Sequence, residues 1–447
     1  MYDTITFEGL NKPSVALCNE GFGTMAKATA SQESMPGLRV VPETVPCETA
    51  SVEQVEAGVS AAMDDVVAAL TKPLTDEEKP PKTKEAEKPR VAFKGDLEEV
   101  NRFFYQSGWG DGLPIMPPTE EAVAEMLTGT DLPADHLVGK FEPWQCKATV
   151  EKIAINAVMA GALPTYMPVL IAAVQALMDP KAMFRLELGN PHSFQPFWLI
   201  NGRVRQDLNM NSSSDALRPG DIANATIGRA MGLIIKNVAH ARKGIESIET
   251  IGNPAENSMV LAENEEANPW EPLHVEHGLN PEDSAVSFFY PNTCVNVLPY
   301  GADDDRGVLN SVINNIIPGR GGNFLIILPP IHAKTLAESG WTKQDIKTFV
   351  TEYARVPAYR HPFYWGGEGT RYGKEVMPIN PMDSVRIFTR PKWLRIVVAG
   401  GAGTCIGMFV GAGIFGSEWV TKKVDLPANW DNLVAKYKNV VPKYTVD

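Results

Sequence analysis

The sequence predicts an α/β protein, and three observations predict it. Apolar runs such as Phe324-Leu-Ile-Ile-Leu328 and Leu394-Arg-Ile-Val-Val-Ala399 read as strands of a sheet covered on both faces. Long segments carry apolar residues three and four apart, as in Val55, Val59, Ala62, Met63, Val66, Val67 and Leu70, the period of an amphipathic helix. The first seventy residues alternate strand, helix, strand, helix, which implies parallel pairing through right-handed crossovers. The expected architecture is an incomplete N-terminal parallel α/β layer followed by a larger mixed α/β domain.

Taken in order, Ser14 to Leu17 is a short strand, Phe22 to about Ser34 has helical composition, Leu38 to Val41 is a second strand and Val55 to Leu70 a second helix. Two strands cannot bury both faces of a sheet, so residues 1–71 must lean on something else. Residues 72–94 form a linker. Asp76-Glu-Glu-Lys-Pro-Pro81 and Lys82-Thr-Lys-Glu-Ala-Glu-Lys-Pro89 mix charge and proline with almost nothing apolar, so burial cannot offset the entropy of ordering them. Residues 95–447 make the large domain. Helices are expected at Leu97 to Gln106, from Thr119 as a cap through Leu127, and at Thr149 to Ala160. Others are Pro168 to Leu177, Ile222 to Val238, His332 to Ser339 and Lys343 to Arg355. No internal repeat is visible.

At 447 residues the chain has room for two or three cores. Its 44% hydrophobic and 21% charged residues are ordinary for a soluble protein. A net charge of −13 argues against nucleic acid and against anionic membrane surfaces as partners. No window approaches about 18 continuous apolar residues, and the N-terminus lacks a basic stretch followed by an apolar one, so neither a membrane span nor a signal peptide is expected. Five scattered cysteines (Cys18, Cys47, Cys146, Cys294, Cys405) fit free thiols in the cytoplasm better than a disulfide framework.

Several stretches resemble the UGSC family, named for a selenocysteine/cysteine-Gly-Ser-Cys motif. They are Pro13-Ser-Val-Ala-Leu-Cys18-Asn-Glu20-Gly-Phe22, Met35-Pro-Gly-Leu-Arg39-Val-Val41 and Met63-Asp-Asp-Val-Val-Ala-Ala-Leu-Thr71. Less specific likenesses follow in Trp109-Gly-Asp111-Gly-Leu-Pro114, Asn224-Ala-Thr-Ile-Gly-Arg229, Ala262 to Glu266, Gly340 to Asp345 and Val398 to Gly401. The resemblance implies thiol or selenol chemistry and supplies no substrate. The family's motif lies a few tens of residues before the Cys18-type strand, and this sequence carries no Cys-Gly-Ser-Cys. Either a separate small subunit supplies the missing strand and motif, or the thiol chemistry is gone. The first is favoured, because an open sheet edge recruits another strand.

Candidate catalytic groups are Cys18, Cys405, Glu20, Asp111 and Glu265. Cys18 ends a strand just before a helix, where ligands bind in open sheets and where a helix N-terminus lowers a thiol pKa; the plain alternative is a small buried hydrophobe. Glu20 reads first as a helix-end charge, with an acid/base role as its rival. Cys405 follows Gly400-Gly401-Ala-Gly403, a turn whose backbone can approach a ligand closely. Candidate substrate contacts are Trp109, Asn224, Thr226, Arg229, Gly400, Gly401 and Arg320, with Arg229 as an anion clamp one or two turns into its helix. Glu263, Glu266, His274 and His277 are the possible ligands of a divalent metal, although Pro269 and Pro272 argue against one helix carrying them and a solvated acidic loop is the rival reading. The Gly411-Ala-Gly413-Ile-Phe-Gly416 run is a weak dinucleotide signal, better read as close backbone packing.

The expectation is therefore the large subunit of a cytoplasmic hetero-oligomeric enzyme acting on a small, anionic metabolite by cysteine chemistry. The rivals are a metal-assisted hydratase, lyase or hydrolase using the 263–277 cluster, and a non-catalytic scaffold subunit.

Overall fold

The computed structural model describes residues 2–23, 26–27, 30, 35, 37–43, 45, 50–75, 89–142, 144–188, 191–257, 259–299, 304–318, 322–361, 380–402, 406–411, 413 and 417–440. The fold is α/β, with helices interleaved among parallel and antiparallel strands. Two compact units form. One comprises Met1–Lys94, Ala241–Ile248 and Phe363–Pro381, and the other Gly95–His240, Glu249–Pro362 and Met382–Asp447. No helix among the described residues is long and apolar enough to cross a membrane.

In the smaller unit β1 (Ala16–Asn19) and β2 (Val40–Glu43) pair in parallel, with Ala16 opposite Val40 and Asn19 opposite Glu43. Both strands lie two residues later than the apolar runs alone suggest. Ser14 is spent tying down the helix Tyr2–Gly9: its amide donates to Glu8 Oε1 (2.6 Å) and its hydroxyl to the Thr4 carbonyl (3.0 Å). The helix Val52–Thr71 opens with a capping box, Ser51 with Gln54. Arg39 closes it, donating to the carbonyls of Ala69 (2.8 Å), Lys72 (2.6 Å) and Pro73 (2.8 Å). None of this helix's residues is buried, and no third strand joins β1 and β2 among the described residues. The helix expected from Phe22 to Ser34 falls largely outside the described residues.

The larger unit is built on two four-stranded sheets. The first has the order β14 (Val420–Lys423), β7 (Ala285–Phe289), β5 (Phe197–Asn201), β6 (Val260–Ala262). The second has the order β12 (Leu394–Val398), β9 (Phe324–Leu328), β13 (Gly407–Gly411), β8 (Thr293–Val297). A hairpin, β3 (Leu137–Phe141) with β4 (Cys146–Thr149), and a ribbon, β10 (Arg355–Pro357) with β11 (Ser384–Arg386), complete the strands. β5 runs parallel to β6, and β9 to β12; the remaining neighbours within the two large sheets are antiparallel.

Side-chain alternation explains why β9 and β12 read as unbroken apolar runs. Phe324, Ile326, Leu328, Ile396 and Val398 pack under helices, with Val308, Leu309, Val312, Leu336 and Val350. Leu325, Ile327 and Val397 face the other way, onto Phe197, Leu199, Leu261 and Phe289 of the first sheet. Both faces of the second sheet are thus covered. The far side of the first sheet carries the helix Met167–Leu177, apolar all round as its burial requires. The formal dinucleotide run is close packing instead: a Cβ on Gly411 would stand 2.2 Å from Phe324 Cδ1, and one on Gly413 2.9 Å from Asn323 Cβ. Gly416 lies outside the described residues.

Candidate functional site

The carboxyl ends of the two parallel pairs meet in the larger unit. Asn201 ends β5 and Glu263 follows β6; the Asn264 amide donates to the Val398 carbonyl at the end of β12 (2.7 Å). The Gly400 amide donates to the Ser212 carbonyl (2.9 Å). Ligands of open sheets bind at such strand ends. Glu263, Glu265, Glu266, Gly400 and Gly401, widely spaced in the sequence, come together here.

The carboxylates of this nexus are engaged by the chain itself. Glu263 is fully buried. Its Oε2 accepts from Asn201 Nδ2 (2.7 Å) and the Leu273 amide (2.9 Å), and its Oε1 from Asn268 Nδ2 (2.8 Å). Burial pushes the Glu263 carboxyl up, against the pull of Lys343 and these donors. Glu265 Oε1 accepts from Asn201 Nδ2 (2.9 Å) and the Gly202 amide (2.7 Å). Arg205, 4% exposed, donates to the Glu263 carbonyl (2.6 Å) and pairs with Glu265 (3.0 Å) and Glu266 (3.1 Å). That guanidinium holds Glu266 below the usual carboxylate range. Asn201 and Arg205 are the residues sequence reasoning missed; the hint was Asn201 directly after the apolar run Phe197 to Ile200, with Arg205 four residues further on.

The glycine turn is as tight as its composition demands, with Gly400 at φ +103°. A Cβ on Gly401 would stand 1.9 Å from Ser214 Oγ, so the close approach is made to the chain's own 212–214 loop. Cys405 and Arg320 lie outside the described residues.

The two histidines do not join the carboxylates around a metal. Among the described residues no three of His, Cys, Asp and Glu gather as a set able to hold one. His277 has both ring nitrogens occupied: Arg395 Nε donates to Nε2 (2.9 Å), which leaves Nδ1–H facing Thr421 Oγ1 (2.6 Å). Burial, reinforced by Arg395, lowers its pKa to about 4. His274 is fully buried and neither of its ring nitrogens has a hydrogen-bond partner. The tetrad expected to bind a metal is thus divided: Glu263 and Glu266 sit in the Arg205 nexus, His277 is a neutral imidazole bonded by Arg395, and His274 is buried apart from both sets of hydrogen bonds. The chain folds around Pro269 and Pro272, which leaves His274 and His277 on a short helix, Leu273–Glu276, and its cap.

Asp111, Trp109 and Arg229 form a strap. Arg229 grips Asp111 through Nε (2.7 Å) and Nη2 (3.0 Å) and also donates to the Pro114 carbonyl (2.8 Å). Burial would raise the Asp111 carboxyl, but the Arg229 fork holds it low. Asn237, on the same helix Ile222–Asn237, donates to the Trp109 carbonyl (2.9 Å), and Trp109 packs edge-on against Phe103 and Phe104. Thr226 Oγ1 returns to the Ile222 carbonyl (2.7 Å), and Asn224 exchanges hydrogen bonds with the Asn211 backbone (both 3.0 Å). Arg229 and Asn224 thus hold loops of the chain, while Thr226 bonds back within its own helix.

In the smaller unit Cys18, Asn19 and Glu20 gather at the carboxyl end of β1, beside Glu43 at the end of β2. Glu43 is 4% exposed and accepts from the Val45 amide (3.3 Å). Sequence reasoning missed it, its one signal being an acid directly ending an apolar strand. After Cys18 the chain enters a 3-10 turn, Glu20–Phe22, and the helix that follows lies largely outside the described residues; burial raises the thiol's pKa, the N-terminal charge working the other way.

Residues 1–72 match the UGSC family. No curated protein and no solved structure matches the chain. The UGSC-matching segment holds β1, β2, Cys18 and the capped helix Val52–Thr71, so Arg39, one of the residues that carries the resemblance, acts as that helix's C-terminal cap.

Proposed function

We propose that this chain is the large subunit of a heteromeric enzyme that acts on a small anionic metabolite by thiol chemistry. A second, small polypeptide adds a strand to the UGSC-like layer and brings a Cys-Gly-Ser-Cys-type motif to its carboxyl end. The observation that carries this reading is the β1–β2 pair. It is parallel, two strands wide among the described residues, and flanked by a twenty-residue helix with no buried side chain. Parallel sheets persist where both faces are covered, and an open edge is a template for another strand. Leu17 on β1 and Met63, Val67 and Leu70 on the helix stand 40–50% exposed, the apolar surface such a subunit would cover.

In this reading the attacking thiolate belongs to the partner's motif, and Cys18, its pKa raised by burial, is its neighbour in the completed sheet. The metal-assisted alternative gains no support from carboxylates already bound by Arg205, Asn201 and Asn268.

The test is affinity purification of the tagged chain from its native source, with Leu17→Asp as the comparison. A small Cys-Gly-Ser-Cys polypeptide travelling with the wild type and lost from Leu17→Asp supports the reading. A chain that is monomeric, stable and free of such a partner overturns it. A complex that forms yet turns over no thiol-dependent reaction returns the chain to a scaffold role.

A further inference from the structure

The larger unit contains a cavity of about 300 Å³ that none of these roles uses. It lies where the helix Met167–Leu177 ends, the chain turns through Pro180–Ala182, and the short helix Phe184–Glu187 begins, opposite the end of β3. Its walls are part polar and part apolar; the apolar part is Phe141 and Leu177, both fully buried, Phe184, 5% exposed, and the thioethers of Met178 and Met183. The Phe141 and Phe184 rings meet at 5.5 Å. Met183 takes φ +55°, a region long side chains rarely adopt, and reverses the chain between the two short helices.

Three charged residues line the same cavity. Asp179 is already committed, accepting from the Lys181 amide (3.0 Å) and from Lys422 Nζ (2.7 Å). Glu142 and Arg185 are exposed and have no ion-pair partner among the described residues, each other included. One unmatched carboxylate and one unmatched guanidinium around a hollow with an apolar side complement a ligand that carries both charges on an apolar body. Arg185 offers a planar fork to a carboxylate, and Glu142 an acceptor to an ammonium. Ligand pockets run from roughly 300 Å³ upward, so this one takes only a small molecule. We infer that the cavity walled by Phe141 and Phe184 binds a small apolar α-amino acid, its carboxylate on Arg185, its ammonium on Glu142 and its side chain against Met178, Met183 and the two rings.

The test is titration calorimetry on the full chain without any partner subunit, so its outcome does not depend on the heteromeric reading. The probes are L-leucine, L-methionine and L-phenylalanine, set against 4-methylpentanoate, which lacks the ammonium, and 3-methylbutylamine, which lacks the carboxylate. At least one amino acid is expected to bind saturably, one per chain, and at least tenfold tighter than either analogue. Arg185→Gln is expected to reduce its affinity to that of the amine, and Glu142→Gln to that of the acid. Both side chains are exposed, so both variants keep the wild-type melting temperature. No saturable binding of any of the three amino acids overturns the inference. So does an analogue that binds as tightly as the amino acid, or a variant of either charge that binds it unchanged.

Discussion

Replacing Arg205 by Met tests whether the acidic run after β6 is a bolt or a reactive centre. The guanidinium is 4% exposed and serves four acceptors: the Gly202 carbonyl (3.1 Å), the Glu263 carbonyl (2.6 Å), Glu265 (3.0 Å) and Glu266 (3.1 Å). Met keeps most of the aliphatic volume, so the loss is of charge and hydrogen bonds rather than packing. Removing one partner of a buried pair costs about 3–5 kcal/mol, because the other charge stays buried. Glu265 retains the Asn201 and Gly202 donors, which places the expected loss near the lower figure, about 3 kcal/mol. The Glu266 side chain is 53% exposed, so Glu266→Gln should cost no more than about 1 kcal/mol. Urea unfolding followed by tryptophan fluorescence reads this, since Trp198 lies buried in β5 beside the nexus. A loss below about 1 kcal/mol for Arg205→Met would refute the bolt and return these carboxylates to chemistry. So would a shift of the same transition on adding EDTA to the wild type.

Three further outcomes are expected. His277 has a folded pKa of about 4 against 6.5 for a free imidazole, so the unfolded chain binds the extra proton first. Stability is therefore lost as pH falls from about 6.5 toward 4, by about 2 kcal/mol at pH 5; His277→Gln should flatten that stretch of the pH–stability curve, and an unchanged slope would show that burial beside Arg395 does not keep the ring neutral. Cys18, its pKa raised by burial, should alkylate with iodoacetamide at pH 7.5 more slowly than glutathione does, as read by peptide mass spectrometry; faster labelling would make it the nucleophile after all. Gly202 sits at φ +82° with a notional Cβ 2.4 Å from the Asp283 carbonyl, so Gly202→Ala should cost at least about 2 kcal/mol in urea, and a neutral result would mean the loop can relax away from β7.

Local chemistry carried much of the architecture into plain view. Thr119 does cap its helix, Phe324–Leu328 and Leu394–Val398 are buried strands, and Met167–Leu177 is buried almost throughout. These features follow from contacts within a few residues, so a linear reading suffices. The seventy-residue opening was likewise legible as a strand–helix layer with an unfinished sheet, and the UGSC match falls on the same segment.

The roles of the polar side chains were not legible, because a charge reads the same in sequence whether its partner is a ligand or the chain itself. Arg229 and Asp111 are 118 residues apart, as are Arg395 and His277, and Arg205 meets Glu263 across 58. Only the folded chain brings these partners within hydrogen-bond distance, and burial then decides their charge: it keeps His277 neutral and leaves Cys18 protonated. The sequence by itself located β1, β2, β9, β12 and most of the longer helices, because each carries its own apolar run or period, while β5, β6, β7 and β14 of the first large sheet went unread. Tertiary structure alone decided that the acidic run is held by Arg205 and that the Asp111 loop is strapped by Arg229, since long-range pairing leaves no local pattern to read.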